Sequence, residues 1–430
     1  MTDQTKTDTE PPHEGRDRPP LVMAEPRERD PEEVQSNPLG LVFILGLFAM
    51  LWFWAGPSYF FVVLGLVIMI FLHELGHFLT ARWTGMKVTQ FFLFMGPRIW
   101  SFHRNGVEYG VRSLPIGAFV RIIGMHNLDP VEDPEDAPKA YMNKSYPRRM
   151  LVITAGSIMH FIQAILLFLV VTIAIGVDDE NQWSIATISR LETGETPAVQ
   201  AELEPGDTII AVDGTDATNW GELVEYIQDR PGEEIALTVQ SPDGSTEVRS
   251  TTLATVTDRD DGSDNGFLGV SPTFEHRRSF PVAFELFGRT FWQALTSIPQ
   301  FLSPSTFGDL AALMFEGQAD VSVTDDEANR PISVVGAVRF AGEPDTDIAE
   351  PIALLAILNI FIGLINLLPL LPLDGGHAAI ATYERIRSRK GKPYHMDVAK
   401  LLPLTYAVVM VLAFLMISTV YLDIVRPISR

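Results

Sequence analysis

Residues 59–82 read YFFVVLGLVIMIFLHELGHFLTAR, and the way this stretch is read decides the fold. From Tyr59 to Leu72 it carries no charge at all, which suits a membrane span better than the core of a soluble domain. His73-Glu74-Leu75-Gly76-His77 then follows inside the same apolar stretch. On a helix, histidines four residues apart share one face and can bind one Zn²⁺, while the glutamate between them is placed to act as a general base on water. One histidine alone is more often a satisfied core residue. Three ionisable groups at ligand spacing are another matter, because each costs a few kcal/mol inside a bilayer and such groups mark working sites.

Working outward, the chain has 430 residues, 47% of them hydrophobic, yet a formal net charge of -22. The apolar residues fall in a few long blocks and the acidic ones lie elsewhere. That separation predicts a membrane protein with polar appendages and more than one structural unit. An acidic balance argues against nucleic-acid binding, which needs a basic footprint. With no cysteine in the chain, disulfides and thiolate sites are excluded, so any zinc must be held by His, Asp or Glu.

Residues 1–37, rich in Pro, Asp, Glu and Arg, read as a disordered acidic tail. Leu39 to Ala55 is the first apolar block, and Gly56-Pro57-Ser58 joins it to the histidine-bearing run. It is either the first arm of a helical hairpin across the membrane or a re-entrant or surface helix. After Arg82 come strand-like stretches from Val88 to Val120, with a turn expected at Gly96-Pro97 and a hairpin turn at Asn105-Gly106. A span from Met150 to Val177 closes a first membrane part over 38–177. Residues 181–273 alternate in the manner of a small α/β module, with turns at Asp213-Gly214 and Asp243-Gly244. A linker region, 274–350, has amphipathic character from Phe280 to Leu302. The second membrane part, 351–430, has one span from Ile352 to Leu373 and a last one from Leu401 to Tyr421.

Arg82, Lys144, Arg148, Arg149 and the cluster Arg385, Arg387, Arg389, Lys390, Lys392 fall on one side of these spans. By the positive-inside rule that side is cytoplasmic, and the 181–273 module is extracytoplasmic. His73 lies on the order of 13 Å from Arg82 along a helix, within the hydrocarbon but nearer the cytoplasmic face. Two histidines do not complete a catalytic zinc site, which takes three protein ligands and leaves one position open. Asp374 ends a run that is otherwise apolar from Ile352 apart from Asn359 and Asn366, so it is the carboxylate at comparable depth. Gly375-Gly376 lets the helix unwind or pack closely there. Asn366-Leu367-Leu368-Pro369 breaks the same helix earlier and offers an amide to a peptide backbone.

HELGH in one span and N-x-x-P followed by L-D-G-G-H in a later one resemble the site-2 protease family of intramembrane zinc metalloproteases. FLFMGPRIWSFHRNGVEYGVRSLPIGAFVRIIGM is similar to that family's membrane-associated β region, and LEPGDTIIAVDG to its PDZ domain. The resemblance implies a polytopic α-helical membrane protein with a four-span core, to which Leu39 to Ala55 adds an N-terminal span, and an inserted PDZ-like α/β domain. It implies zinc on His73, His77 and Asp374, Glu74 as catalytic base, and a location in the cell inner (plasma) membrane. Its substrates would be single-span membrane proteins, such as anti-sigma factors already trimmed outside the membrane or remnant signal peptides. The chain departs from the family where A-G-P-x-x-N becomes Ala155-Gly156-Ser157-Ile158-Met159-His160, and where the PDZ turn has Ala201-Glu202-Leu203 in place of a glycine. Two rivals to the enzyme are a PDZ-bearing membrane scaffold with structural zinc and a metal transporter. The transporter would need a polar route across the whole membrane, and the spans carry few other polar groups.

Overall fold

A computed structural model describes residues 38–125, 131, 133–189, 196–257, 264–315, 333–342, 348–388 and 394–425. The expected tail, part of the acidic loop and the cations at 389, 390 and 392 lie outside the described residues. By its internal contacts the chain forms two units. One is built from the described residues of 1–164, 341–346 and 354–416, the other from those of 165–340, 347–353 and 417–430.

The first unit opens with α1 (Pro38–Met50), which continues as a π-helical turn, Leu51–Ala55. Gly56, at φ 103°, stops it, and Pro57 at the first position starts α2 (Pro57–Trp83). Among the described residues, four helical stretches are long and apolar enough to cross a membrane: Pro57–Trp83, Tyr146–Ile175, Ala349–Asn366 and Val398–Val425. The chain is therefore a polytopic membrane protein. The apolar helix Val42–Ala55 is shorter than these four.

Between the first two spans lie β1 (Val88–Arg104) and β2 (Val107–Ile122). Asn105-Gly106 makes the expected turn with both residues at positive φ, 52° and 75°. At Gly96-Pro97, where a turn is expected, the chain does reverse, but inside β1: the register is bulged and Phe94 and Gly96 take left-handed φ. That kink folds the hairpin over itself. Residues 90–93 consequently pair with 118–121 on one side and with 108–111 on the other. Glu108 is buried inside the bend and accepts hydrogen bonds from Gln90, Arg98 and Ser101 at 3.0, 2.6 and 2.8 Å. Burial pushes its carboxyl up, but these three donors outweigh it and hold the group below the usual carboxylate range.

α3 (Tyr146–Leu169) ends in a second π-helical turn, Val170–Ile175. In the second unit β3 (Val177–Ile188) leads to α4 (Pro197–Gln200), β4 (Thr208–Val212), β5 (Thr215–Asp216) and α5 (Trp220–Gln228). β6 (Glu234–Gln240), β7 (Thr246–Thr252), β8 (Ala254–Thr257), β9 (Asp264–Phe267) and β10 (Val270–Arg277) follow. One sheet has the order β5-β4-β6-β7. β10 pairs with β3 from Val270 opposite Ile188 to Arg277 opposite Val177, which carries the module's edges beyond residues 181 and 273. Its core is aliphatic and aromatic, with Trp183, Ile209, Leu223, Ile235, Leu237 and Val239 all buried. Asn219 caps α5 by accepting from the Glu222 amide at 3.1 Å. Glu202 sits at φ 54°, a conformation that costs an L-residue energy and glycine very little.

α6 (Phe280–Phe301), α7 (Pro304–Phe315) and α8 (Val334–Gly342) complete the middle of the chain. α9 (Ala349–Asn366) is the third span, α10 (Asp374–Arg387) follows, and α11 (Leu402–Val425) is the last helix. The span expected to reach Leu373 thus ends at Asn366. Pro369 and Pro372 cannot continue a helix, so the chain turns through residues 367–373. Gly375-Gly376 does not unwind anything; it begins α10. A Cβ on Gly375 would lie 2.2 Å from the Leu368 carbonyl oxygen, and one on Gly376 2.6 Å from the Leu371 nitrogen. The glycines let the new helix start pressed against the backbone of the break.

Candidate metal centre

α2 turns His73 and His77 to one side, with ring centroids 4.8 Å apart. His77 Nδ1 lies 2.8 Å from the Val152 carbonyl oxygen on α3. A carbonyl can only accept, so Nδ1 carries the proton and Nε2 presents its lone pair. That Nε2 stands 3.1 Å from His73 Nε2. Asp374, the first residue of α10, brings Oδ2 to 3.2 Å from His77 Nε2 and 3.4 Å from His73 Nε2. Among the described residues these three side chains are the one group placed to share a metal ion.

The donor set fits zinc. Ligands about 2.0–2.1 Å from a tetrahedral Zn²⁺ stand about 3.3 Å from one another, and the observed separations of 3.1–3.4 Å bracket that figure. Asp374 Oδ2 and His73 Nδ1 are buried without a hydrogen-bond partner in the structure. The His77 Nε2 lone pair and the Asp374 carboxylate oxygen would otherwise face each other at 3.2 Å with nothing between them, and a cation resolves that conflict.

α3 makes room for this arrangement without contributing a ligand. A Cβ on Gly156 would fall 2.4 Å from both His73 Cε1 and His77 Nε2, and one on Gly76 2.8 Å from the Ala155 carbonyl oxygen. Glycines on the two facing helices allow their backbones to approach as packed membrane helices do. Sequence reasoning missed Gly156 as part of the site, and the Val152 carbonyl has no sequence signal at all. The small pair Ala155-Gly156 inside a span was the available clue.

Glu74 is half-buried and accepts a hydrogen bond from the Val120 amide of β2. His160, at the departure from the family pattern, packs its ring 4.9 Å from that of His73 and pairs Nδ1 with Asn359 Oδ1 at 2.9 Å. It therefore lies beside the three-residue cluster, outside it. Asn366 ends α9, half-buried, at the near side of the break that precedes Asp374. His377 lines a separate cavity of about 20 Å³ with Tyr141, Arg149, Glu384 and His395. Arg149 is no exposed loop cation: it is buried in an ion pair with Glu384 at 2.7 Å.

Comparison with known proteins supplies an independent test. Residues 61–413 match the model of Peptidase family M50. The chain is 32% identical over 403 residues to the zinc metalloprotease Rip1 of Mycolicibacterium smegmatis, covering 85% of this chain and 97% of that protein. Against Rip1 of Mycobacterium tuberculosis it is 32% identical over 404 residues, with 85% and 96% covered. A membrane metalloprotease of Arabidopsis thaliana chloroplasts, ARASP, is 28% identical over 344 residues, with 77% and 72% covered.

Proposed function

The chain belongs to peptidase family M50, the site-2 protease family, and from that premise we propose that His73, His77 and Asp374 hold the zinc ion of an intramembrane metalloprotease with Glu74 as its base. The observation that carries the assignment is the convergence of three ligand atoms from α2 and α10 at 3.1–3.4 Å, beside a glutamate on the same helix. Zinc, when bound, supplies the Lewis acidity that makes water nucleophilic near neutral pH and polarises a carbonyl. Glu74 takes a proton from the attacking water on its carboxylate and passes it to the leaving amide nitrogen as the peptide C–N bond breaks. The Val120 amide holds that carboxylate in place.

Substrates are single transmembrane segments, which conceal their carbonyls in helical hydrogen bonds and must be opened first. Residues 118–121 pair on one side only, with 90–93. Through Val120 this edge is tied to Glu74, so a substrate strand added there would lie next to the base. Asn366, at the α9 terminus, offers its amide to the same extended backbone. Pre-trimmed anti-sigma factors and remnant signal peptides are the substrate classes that fit. The β-module of the second unit serves as a PDZ-like domain outside the cytoplasm, with the metal centre nearer the cytoplasmic face, as Arg82, Lys144 and Arg148 orient it.

A test on purified full-length protein compares Glu74→Gln with His77→Ala. Glu74→Gln retains zinc and loses cleavage of a single-span substrate by roughly 10²–10⁴-fold; His77→Ala loses both. A Glu74→Gln protein that cleaved at the native rate would remove the proposed base and leave the scaffold with structural zinc as the better reading.

A further inference from the structure

α2, α9 and α10 must agree for Asp374 to meet the histidines, and α3 touches each of them. Its buried stripe runs Arg149, Val152, Ile153, Gly156, Ser157 and His160. Val152 and Gly156 meet α2 at the histidines, and His160 meets Asn359 of α9. At the other end of the stripe, Arg149 Nη2 lies 2.7 Å from Glu384 Oε2 on α10, with both side chains at most 9% exposed. One turn earlier, Tyr146 and Thr382 of α10 share a hydrogen bond of 3.2 Å between their hydroxyls. Gly156 lies two turns beyond Arg149, about 10 Å along α3.

Asp374 is the first residue of α10 and follows a non-helical break. Its position is therefore the position of α10 as a whole, and the contacts along α10's far end decide where its near end falls. We propose that Arg149 and Glu384 are positioning residues that set α10 against α3 and so deliver Asp374 to the metal. A buried ion pair of this kind adds little stability over apolar residues of the same volume, but it permits few arrangements. The Glu384 carboxylate is held on its second oxygen as well, since Oε1 accepts from the Met396 amide at 2.7 Å. The Arg149 guanidinium lies 4.7 Å from the Tyr141 ring centre. Both partners are thus anchored on both sides, and the pair cannot drift without dragging a helix.

This inference rests on the zinc assignment above, and the experiment separates the two. Full-length protein in lipid nanodiscs is titrated with Zn²⁺ against a competing chelator, and its visible spectrum is recorded with Co²⁺ in place of zinc. Glu384→Gln is compared with Glu108→Gln, which breaks another ion pair of the unit, Arg98–Glu108 at 2.6 Å with its carboxylate buried, far from the ligands in sequence and bonded to none of them. We expect Glu384→Gln to weaken zinc binding roughly 10–100-fold and to shift the Co²⁺ spectrum. Glu108→Gln should leave both at native values even where it lowers the melting temperature equally. Arg149→Lys, which keeps the charge and loses the fork, should fall between native and Glu384→Gln, and it serves if Glu384→Gln does not fold. Native zinc affinity in Glu384→Gln or, failing that, in Arg149→Lys would overturn the proposal, as would equal zinc loss in Glu108→Gln. If the native chain binds no zinc and His77→Ala behaves identically, the metal assignment itself has failed, which is a different result.

Discussion

The two units solve the packing problem with different emphasis. In the second, the β-module closes over a continuous apolar core of Ile209, Leu223, Ile235, Leu237, Val239 and their neighbours. Water drives that burial, and side-chain volume does the work. In the first, an apolar cluster that includes Phe78, Val152, Ile153 and Ala381 is supplemented by absent side chains and polar bonds: Gly76 and Gly156 between α2 and α3, His160 to Asn359, Arg149 to Glu384. Lipid tails are as apolar as leucine, so no hydrophobic force brings membrane helices together, and close approach and hydrogen bonding take over. The lesson is that substitutions should act differently in the two halves. Adding volume is the injurious change in the membrane unit, removing it in the module.

The largest expected effect is at Gly156. Val in its place puts methyl groups where the two imidazoles stand, so zinc and cleavage are both lost, at least 100-fold in affinity by analogy with losing a supporting contact. Isothermal titration with zinc would read it, and native affinity in Gly156→Val would break the comparison. Next comes Leu237→Ala, a cavity in the module core costing about 2–5 kcal/mol. Thermal unfolding of the module should show that loss while zinc affinity stays native. A third test is pH. Glu108 has its folded pKa lowered, so the stability it contributes is complete above the ordinary carboxylate range and disappears as pH falls through the depressed value. Its hydrogen bonds to charged groups place that contribution at about 1–3 kcal/mol. Glu108→Gln should abolish the acid dependence of the β1–β2 region, read by hydrogen exchange. The smallest effect is at Glu202, whose left-handed φ favours glycine. Glu202→Gly should be neutral or stabilise the module by up to about 1 kcal/mol, and a clear destabilisation would show that its backbone contacts depend on the side chain.

Legibility in the sequence follows the same divide. Signals that depend on neighbours along the chain held: the His73 and His77 spacing, and the Asn105-Gly106 and Asp213-Gly214 turns, each with both residues at positive φ. The third ligand candidate was also legible, because a carboxylate closing an apolar run is costly wherever the chain goes. What depended on partners distant in sequence was not. Gly96-Pro97 reads as a turn by local chemistry and the chain does reverse there, but the pairing of 90–93 with both 108–111 and 118–121 has no local signal. Gly375-Gly376 reads as a place to unwind or to pack closely, and only the close packing holds, because the prolines before it had already made the break. Arg149 reads as one more cytoplasmic cation until Glu384 is placed against it. A carbonyl such as that of Val152 is carried by every residue type, so nothing in the sequence could mark it.

The pairing of Val177 with Arg277 has a mechanical consequence. The chain leaves the helical turn ending at Ile175 and returns to α6 at Phe280 through two adjacent strands. Arg278 reaches back to the Ile175 carbonyl at 3.4 Å. The module is therefore tethered by a double thread, and any load applied to it arrives at both helix ends together.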